Sequence, residues 1–123
     1  MIFSVSKALD RIGIKKDDVD LWEINEAFSS MYAYVLDKLD LDIEKVNVNG
    51  GAIALGHPLG ATGVRLVVTG LAELARRQQS VLCTSMCIGS GFAFVLLACI
   101  NLNLMHNLQD GCCCHFCQRE KHA

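Results

Sequence analysis

Two periodicities alternate along this chain, and that alternation limits the folds open to it. The apolar stretches "VDLWEI" (19–24), "SVLCTSMC" (80–87) and "FAFVLLACI" (92–100) have strand character. Between them, apolar residues recur at helical spacing, as Ala27, Phe28, Met31, Tyr32, Val35, Leu36 and Leu39, and then as Val64, Val67, Val68, Leu71, Leu74 and Ala75. Ser4 to Gly13 reads as a short helix closed by Gly13, and "KVNV" (45–48) as a short strand. The order α-β-α-β-α-β-β predicts a layered α/β domain. Strands that are apolar along their whole length predict a sheet covered on both faces. After Ile100 the pattern stops. The segment "NLNLMHNLQDGCCCHFCQREKHA" has neither periodicity nor turn logic, so the domain is placed at 1–100 and 101–123 is read as a cysteine-rich tail outside it.

Composition narrows the class. Hydrophobic residues make up 52% and charged residues 20% of the 123, a mixture that folds and does not stay disordered. The net charge is −2 and the basic residues are scattered, which is no footprint for nucleic acid. The longest apolar run, 92–100, is far short of the roughly 20 residues that cross a bilayer as a helix, so no membrane partner is expected. The start reads as an amphipathic helix and not as a secretory signal, so the seven cysteines are expected to be reduced thiols of an intracellular protein.

The stretch "NGGAIALGHPLGATG" (49–63) concentrates backbone freedom around one histidine and the only proline. A residue before proline is pushed out of the helical region, so His57 gains a defined direction from Pro58. Gly56 and Gly60 permit tight bends on either side, and "GATG" opens the long helix. An ordinary strand-to-helix connection carrying a surface histidine has the same composition. In "MCIGSG" (86–91), Cys87 stands where a strand gives way to a Gly-x-Gly turn. Such a turn can expose a thiol and aim backbone N–H groups at one point, or it can simply bury a small hydrophobe. In "EINEAF" (23–28), Asn25 stands at a strand-to-helix junction, where capping is the plain reading, and Glu26 reads as complement to the helix dipole. Cys114 and Cys117 have C-x-x-C spacing but no second ligand pair at a suitable distance, so no metal site is expected; Cys83 and Cys99 read as core thiols. Asn25, His57 and Cys87 each follow a strand in one α/β unit, where strand ends converge on one crevice. Together they are expected on one side of the sheet and suit acyl transfer.

"NEAF", "GGAIALGHPLGATG" and "MCIGSG", in this order and spacing, resemble the C-terminal half of the thiolases, in phrasing nearest the peroxisomal 3-ketoacyl-CoA thiolases. The resemblance runs from about Ser4 to Gly91. It implies a layered α-β-α fold with a mixed sheet, lacking the first strand of its own half. It implies acyl transfer between 3-ketoacyl-CoA and coenzyme A in fatty acid β-oxidation, with coenzyme A as substrate and no cofactor. By the same resemblance, His57 activates a nucleophilic cysteine and donates to the thioester oxyanion. Asn25 holds a water that completes this first oxyanion hole. Cys87 is the general acid and base, and Gly89 lends its backbone N–H to a second oxyanion hole. Gly56, Pro58 and Gly91 line the substrate.

The departures from the family are equally specific. The family's nucleophilic cysteine lies in a first half, and none of the seven cysteines here occupies its motif. The expected partners are therefore acyl-CoA, coenzyme A and a thiolase N-terminal half or subunit, with a homodimer in the full-length family. The segment 101–123 resembles no thiolase ending. The resemblance implies a peroxisomal location, with the family's amino-terminal address absent from these residues. Two readings follow: a thiolase, or a non-catalytic fragment that at most pairs with a thiolase half.

Overall fold

The structure, a computed structural model, describes residues 1–89, 92–99 and 118–119. In chain order its elements are α1 (Ile2–Ile12), β1 (Leu21–Ile24), α2 (Ser29–Leu39), α3 (Ala52–Leu55), α4 (Leu59–Arg77), β2 (Val81–Gly89), β3 (Phe92–Cys99) and β4 (Gln118–Arg119). The sheet order is β1-β2-β3-β4. β1 runs parallel to β2, while β2–β3 and β3–β4 are antiparallel, so the sheet is mixed. The parallel pair needs a long crossover, which α2, α3 and α4 supply.

Helices cover both faces. On one, Val5 and Leu9 of α1 and Val35 of α2 pack with Trp22, Ile24, Cys83, Val95 and Leu97 of the strands. On the other, Leu74 of α4 packs with Leu21, Leu82 and Ala98. The alternation of Leu21 and Trp22, and of Leu82 and Cys83, between the two clusters is the strand period of two. Gly13 closes α1 with φ 71° and returns its N–H to the carbonyls of Leu9 and Asp10. Gly70 lets α4 approach the sheet: a Cβ there would stand 2.6 Å from both methyls of Leu82. The result is the layered α-β-α arrangement.

Several local readings of the sequence change. "KVNV" forms only a single bridge, Trp22 to Val46, and no strand. Asn47 ends the pairing by adopting φ 47°. Its side-chain amide then takes the place of a neighbouring strand's peptide, with Oδ1 accepting from Ile24 N–H at 2.8 Å and Nδ2 donating to Ile24 C=O at 2.9 Å. Asn25 is not a helix cap, because α2 starts only at Ser29, with Phe28 as its N-cap. Its backbone N–H instead bonds Ser85 C=O at 2.8 Å, which continues the β1–β2 pairing. Gly60 is not a bend: it lies in the first turn of α4. Of the segment 101–123, only Gln118–Arg119 is described, paired with Phe92 and Ala93. Cys114, Cys117 and Gly91 lie outside the described residues.

Between β1 and α4 the chain buries charge. Glu23 is 1% exposed, and Arg65 Nη1 is 3.7 Å from its Oε2. Burial pushes the Glu23 carboxyl up to about 7; Arg65 opposes this, while Glu26 and Glu73 add to it. A carboxyl raised on folding stays protonated in the folded chain while the unfolded chain ionises. Its contribution to stability is therefore full below about pH 4.5 and is lost as pH rises to about 7. The loss is expected to be on the order of 2 kcal/mol in urea-unfolding titrations, and Glu23→Gln should flatten that window. An unchanged slope in Glu23→Gln would assign the pH dependence elsewhere.

Candidate active site

His57 and Cys87 line one cavity of about 420 Å³, together with Gly89, Leu59, Met86, Ile88, Ala27 and Phe28. Each wall has a local cause. Cys87 is near the end of β2, half-buried and a free thiol. Beyond it the register slips: Cys87 pairs with Ala93, yet Gly89 pairs with Phe92, so Ile88 is an extra residue in β2. A bulge of this kind bends the strand and re-aims its side chains. Gly89, at φ 83°, takes a conformation that any other residue adopts with strain. Cys83, by contrast, is fully buried, and burial raises its thiol far above the ordinary range. Of the two described free cysteines, Cys87 is the one that lines this cavity.

His57 stands between α3 and α4. Gly56, at φ 94°, ends α3, and Pro58 forms the N-cap of α4. The ring is anchored by Nδ1, 2.7 Å from Oγ1 of Thr62, whose hydroxyl lies 3.2 Å from Pro58 C=O and donates to it. Neither Gly56 nor Gly60 has an atom within 4 Å of where a Cβ would stand, so the backbone beside His57 borders open space.

Asn25 is not in the cavity wall; it stands two residues before Ala27, which is part of it. It is completely buried, and neither Oδ1 nor Nδ2 has a hydrogen-bond partner among the described residues. Oγ of Ser85, on the Ile24 side of the sheet, is also buried and without a partner among the described residues. Buried polar groups are nearly always paired, so the Asn25 amide has hydrogen-bonding capacity left for a small polar molecule.

The structure adds two residues that sequence reading missed. Glu26 does not serve α2. Its Oε2 accepts from Ile53 N–H at 2.9 Å, at the start of α3, and its Oε1 accepts from Asn47 Nδ2 at 2.8 Å. The carboxylate fills the space beside Gly51, where a Cβ would stand 2.1 Å from it. Glu26 and Asn47 thus tie the end of β1 to the loop that carries His57. The pairing of a glycine with a distant acid leaves no mark in spacing. Thr62 is the second, and a hydroxyl five residues after the histidine in "GHPLGAT" was its available signal. Gly51→Ala is expected to expel Glu26 and cost about 2–4 kcal/mol, from two lost charge-assisted hydrogen bonds and overpacking. Measured by chemical denaturation, the same change in a Glu26→Ala background should cost much less, and full additivity would contradict the contact.

Next to the cavity lies an apolar groove of about 470 Å³ between α4 and the sheet, and Leu59, Met86 and Ile88 border both. Leu59 is 78% exposed, Val64 66% and Val68 60%. Among the described residues no cluster of His, Cys, Asp and Glu could hold a metal, and no helix is long and apolar enough to cross a membrane.

Known proteins resemble this chain. The family model "Thiolase, C-terminal domain" matches residues 2–99, so the likeness continues into β3 beyond Gly91. The peroxisomal 3-ketoacyl-CoA thiolase 1 of Arabidopsis thaliana is 56% identical over 90 residues, covering 72% of this chain and 20% of its own length. The peroxisomal 3-ketoacyl-CoA thiolase of Homo sapiens is 53% identical over 90 residues, covering 72% and 21%. Among solved structures, human mitochondrial 3-ketoacyl-CoA thiolase in complex with CoA superimposes with a TM-score of 0.73 at 48% identity, over 76% of this chain and 24% of that one. The chain therefore spans about a fifth of the length of the curated relatives it matches. With the motif-bearing loops, the mixed sheet and a match over residues 2–99 in agreement, the chain belongs to the thiolase family and carries its C-terminal domain.

Proposed function

We propose that this chain supplies the C-terminal half of a thiolase active site, which cleaves 3-ketoacyl-CoA with coenzyme A to acetyl-CoA and a shortened acyl-CoA. The observation that carries the reading is the cavity lined by His57, Cys87 and Gly89. In the proposed sequence, His57 Nε2 takes the proton of a nucleophilic cysteine from the other half. The sulfur attacks the 3-keto carbon, and the resulting oxyanion is held by the N–H of Gly89. The C2–C3 bond then breaks, and its electron pair passes to the acetyl-CoA enolate. The enolate oxygen is held by His57 and by a water on Asn25. The Cys87 thiol protonates the enolate carbon, and its thiolate then takes the proton of incoming coenzyme A. The coenzyme A thiolate so formed attacks the carbonyl of the acyl-enzyme and becomes the shortened acyl-CoA, and the expelled cysteine thiolate of the other half takes back its proton from His57.

The exposed apolar side of α4 supports a thiolase N-terminal half as the covering partner, within the homodimer proposed for the full-length protein. Gly56, Pro58 and Gly91 are proposed to border the thioester. The names of the relatives support a peroxisomal setting. A second reading, a fragment without turnover, is favoured for these 123 residues by themselves, because none of the seven cysteines occupies the nucleophile's motif. The test is a chimera in which residues 2–99 replace the matching segment of the human mitochondrial thiolase. The chimera is expected to cleave acetoacetyl-CoA and the 123-residue chain alone is not. A folded chimera without turnover would sink the proposal.

A further inference from the structure

We infer that Thr62 fixes the tautomer of His57, keeping the proton on Nδ1 and leaving the Nε2 lone pair to act in the cavity. A neutral imidazole carries one N–H, and the partner of one ring nitrogen decides what the other can do. Thr62 sits in the first turn of α4 and is 1% exposed, so water does not compete for its hydroxyl. That hydroxyl has one proton. It donates to the carbonyl of Pro58, four residues back, at 3.2 Å. The side of Oγ1 that meets His57 is therefore a lone pair, and at 2.7 Å the hydrogen bond requires an N–H on Nδ1.

This arrangement also survives the cycle. When Nε2 gains a proton, the imidazolium still carries Nδ1–H, and its bond to Thr62 is kept. The reverse arrangement, with Thr62 donating to Nδ1, would bring two donors face to face at that moment. Because the hydroxyl is uncharged, it orients the ring without placing a carboxylate beside the cavity. Thr62 is thus a positioning residue. Its consequence for turnover rests on the function proposed above, whereas the tautomer itself does not.

The experiment is a long-range ¹H–¹⁵N correlation spectrum of the ¹⁵N-labelled 123-residue chain, at a pH where imidazole is neutral. His57 is one of four histidines and is assigned by its loss in His57→Gln. The wild-type chain should show a pyrrole-type Nδ1 and a pyridine-type Nε2. Thr62→Val should move His57 toward the Nε2–H form, and Thr62→Ser should restore the original pattern. In the active chimera, Thr62→Val should lower kcat about 10- to 100-fold with KM little changed, as expected for loss of a partner that orients a functional imidazole. A pyridine-type Nδ1 in the wild type, or an unchanged tautomer in folded Thr62→Val, would overturn the assignment. An Nδ1–H tautomer in a chimera without thiolysis would uphold the assignment and sink only the proposed function.

Discussion

Cys87→Ala in the chimera is expected to lower thiolysis of acetoacetyl-CoA by about 10²–10⁴-fold, the range over which a positioned proton donor and acceptor acts. The thiol lines the cavity shared with His57, on a strand whose extra residue re-aims the side chains at its end. Alanine keeps the small apolar volume and removes the proton, so folding should be unaffected; thermal melts within a few degrees of the parent would verify this. The loss should fall chiefly on cleavage of the carbon–carbon bond, where the proposed role of this sulfur is to give the enolate carbon its proton, because acetyl transfer from acetyl-CoA expels a thiolate that departs without one. Cys87→Ser should recover little, since a hydroxyl surrenders its proton far less readily than a thiol. Turnover within tenfold of the parent in folded Cys87→Ala would remove Cys87 from the chemistry.

His57→Ala should cost about 10³-fold or more, because two functions leave with one ring. Loss of a single oxyanion donor costs about 10²–10³-fold, and loss of the base that activates the nucleophile adds to it. The stopped-flow signature should differ from that of Cys87→Ala. Without His57 the first acyl transfer itself slows, whereas without Cys87 the first transfer from acetyl-CoA survives and later steps fail. Equal slowing of all steps in both variants would contradict the division of roles.

The site was legible in the sequence where a motif and its element coincide. The extended strand ends, the glycines around His57 and the Gly-x-Gly after Cys87 all follow from local sequence, and the helical period of 64–75 located α4. What failed were readings that depend on distant partners. Asn25 looks like a helix cap because asparagine at a strand-to-helix junction is one. Its N–H is instead taken by Ser85, which is 60 positions away in sequence. Glu26 looks like a dipole complement for α2, yet its carboxylate serves Asn47 and Ile53 across the loop. "KVNV" has strand composition, but one left-handed residue, Asn47, converts it to a single bridge. Gly51 was one glycine among several in its stretch. Only the fold shows that its missing side chain makes room for Glu26.

These same features explain how the site keeps its shape. Asn47 fixes the end of β1, Glu26 ties that end to the start of α3, and Thr62 anchors the imidazole to the first turn of α4. The loop that carries His57 is thus held by hydrogen bonds to segments that the sheet has already brought together. Such pre-organisation lets oxyanion donors act without rearrangement during the reaction.

The most direct measurement of the central claim, that His57 and Cys87 form one site with separate duties, is intact-mass spectrometry of the two chimeras after mixing with acetyl-CoA. The account predicts that Cys87→Ala accumulates one acetyl group on the nucleophilic cysteine of the other half and releases no further product. It predicts that His57→Ala remains largely unacetylated over the same interval. Prompt acetylation of His57→Ala, or no acetylation of folded Cys87→Ala, would contradict it.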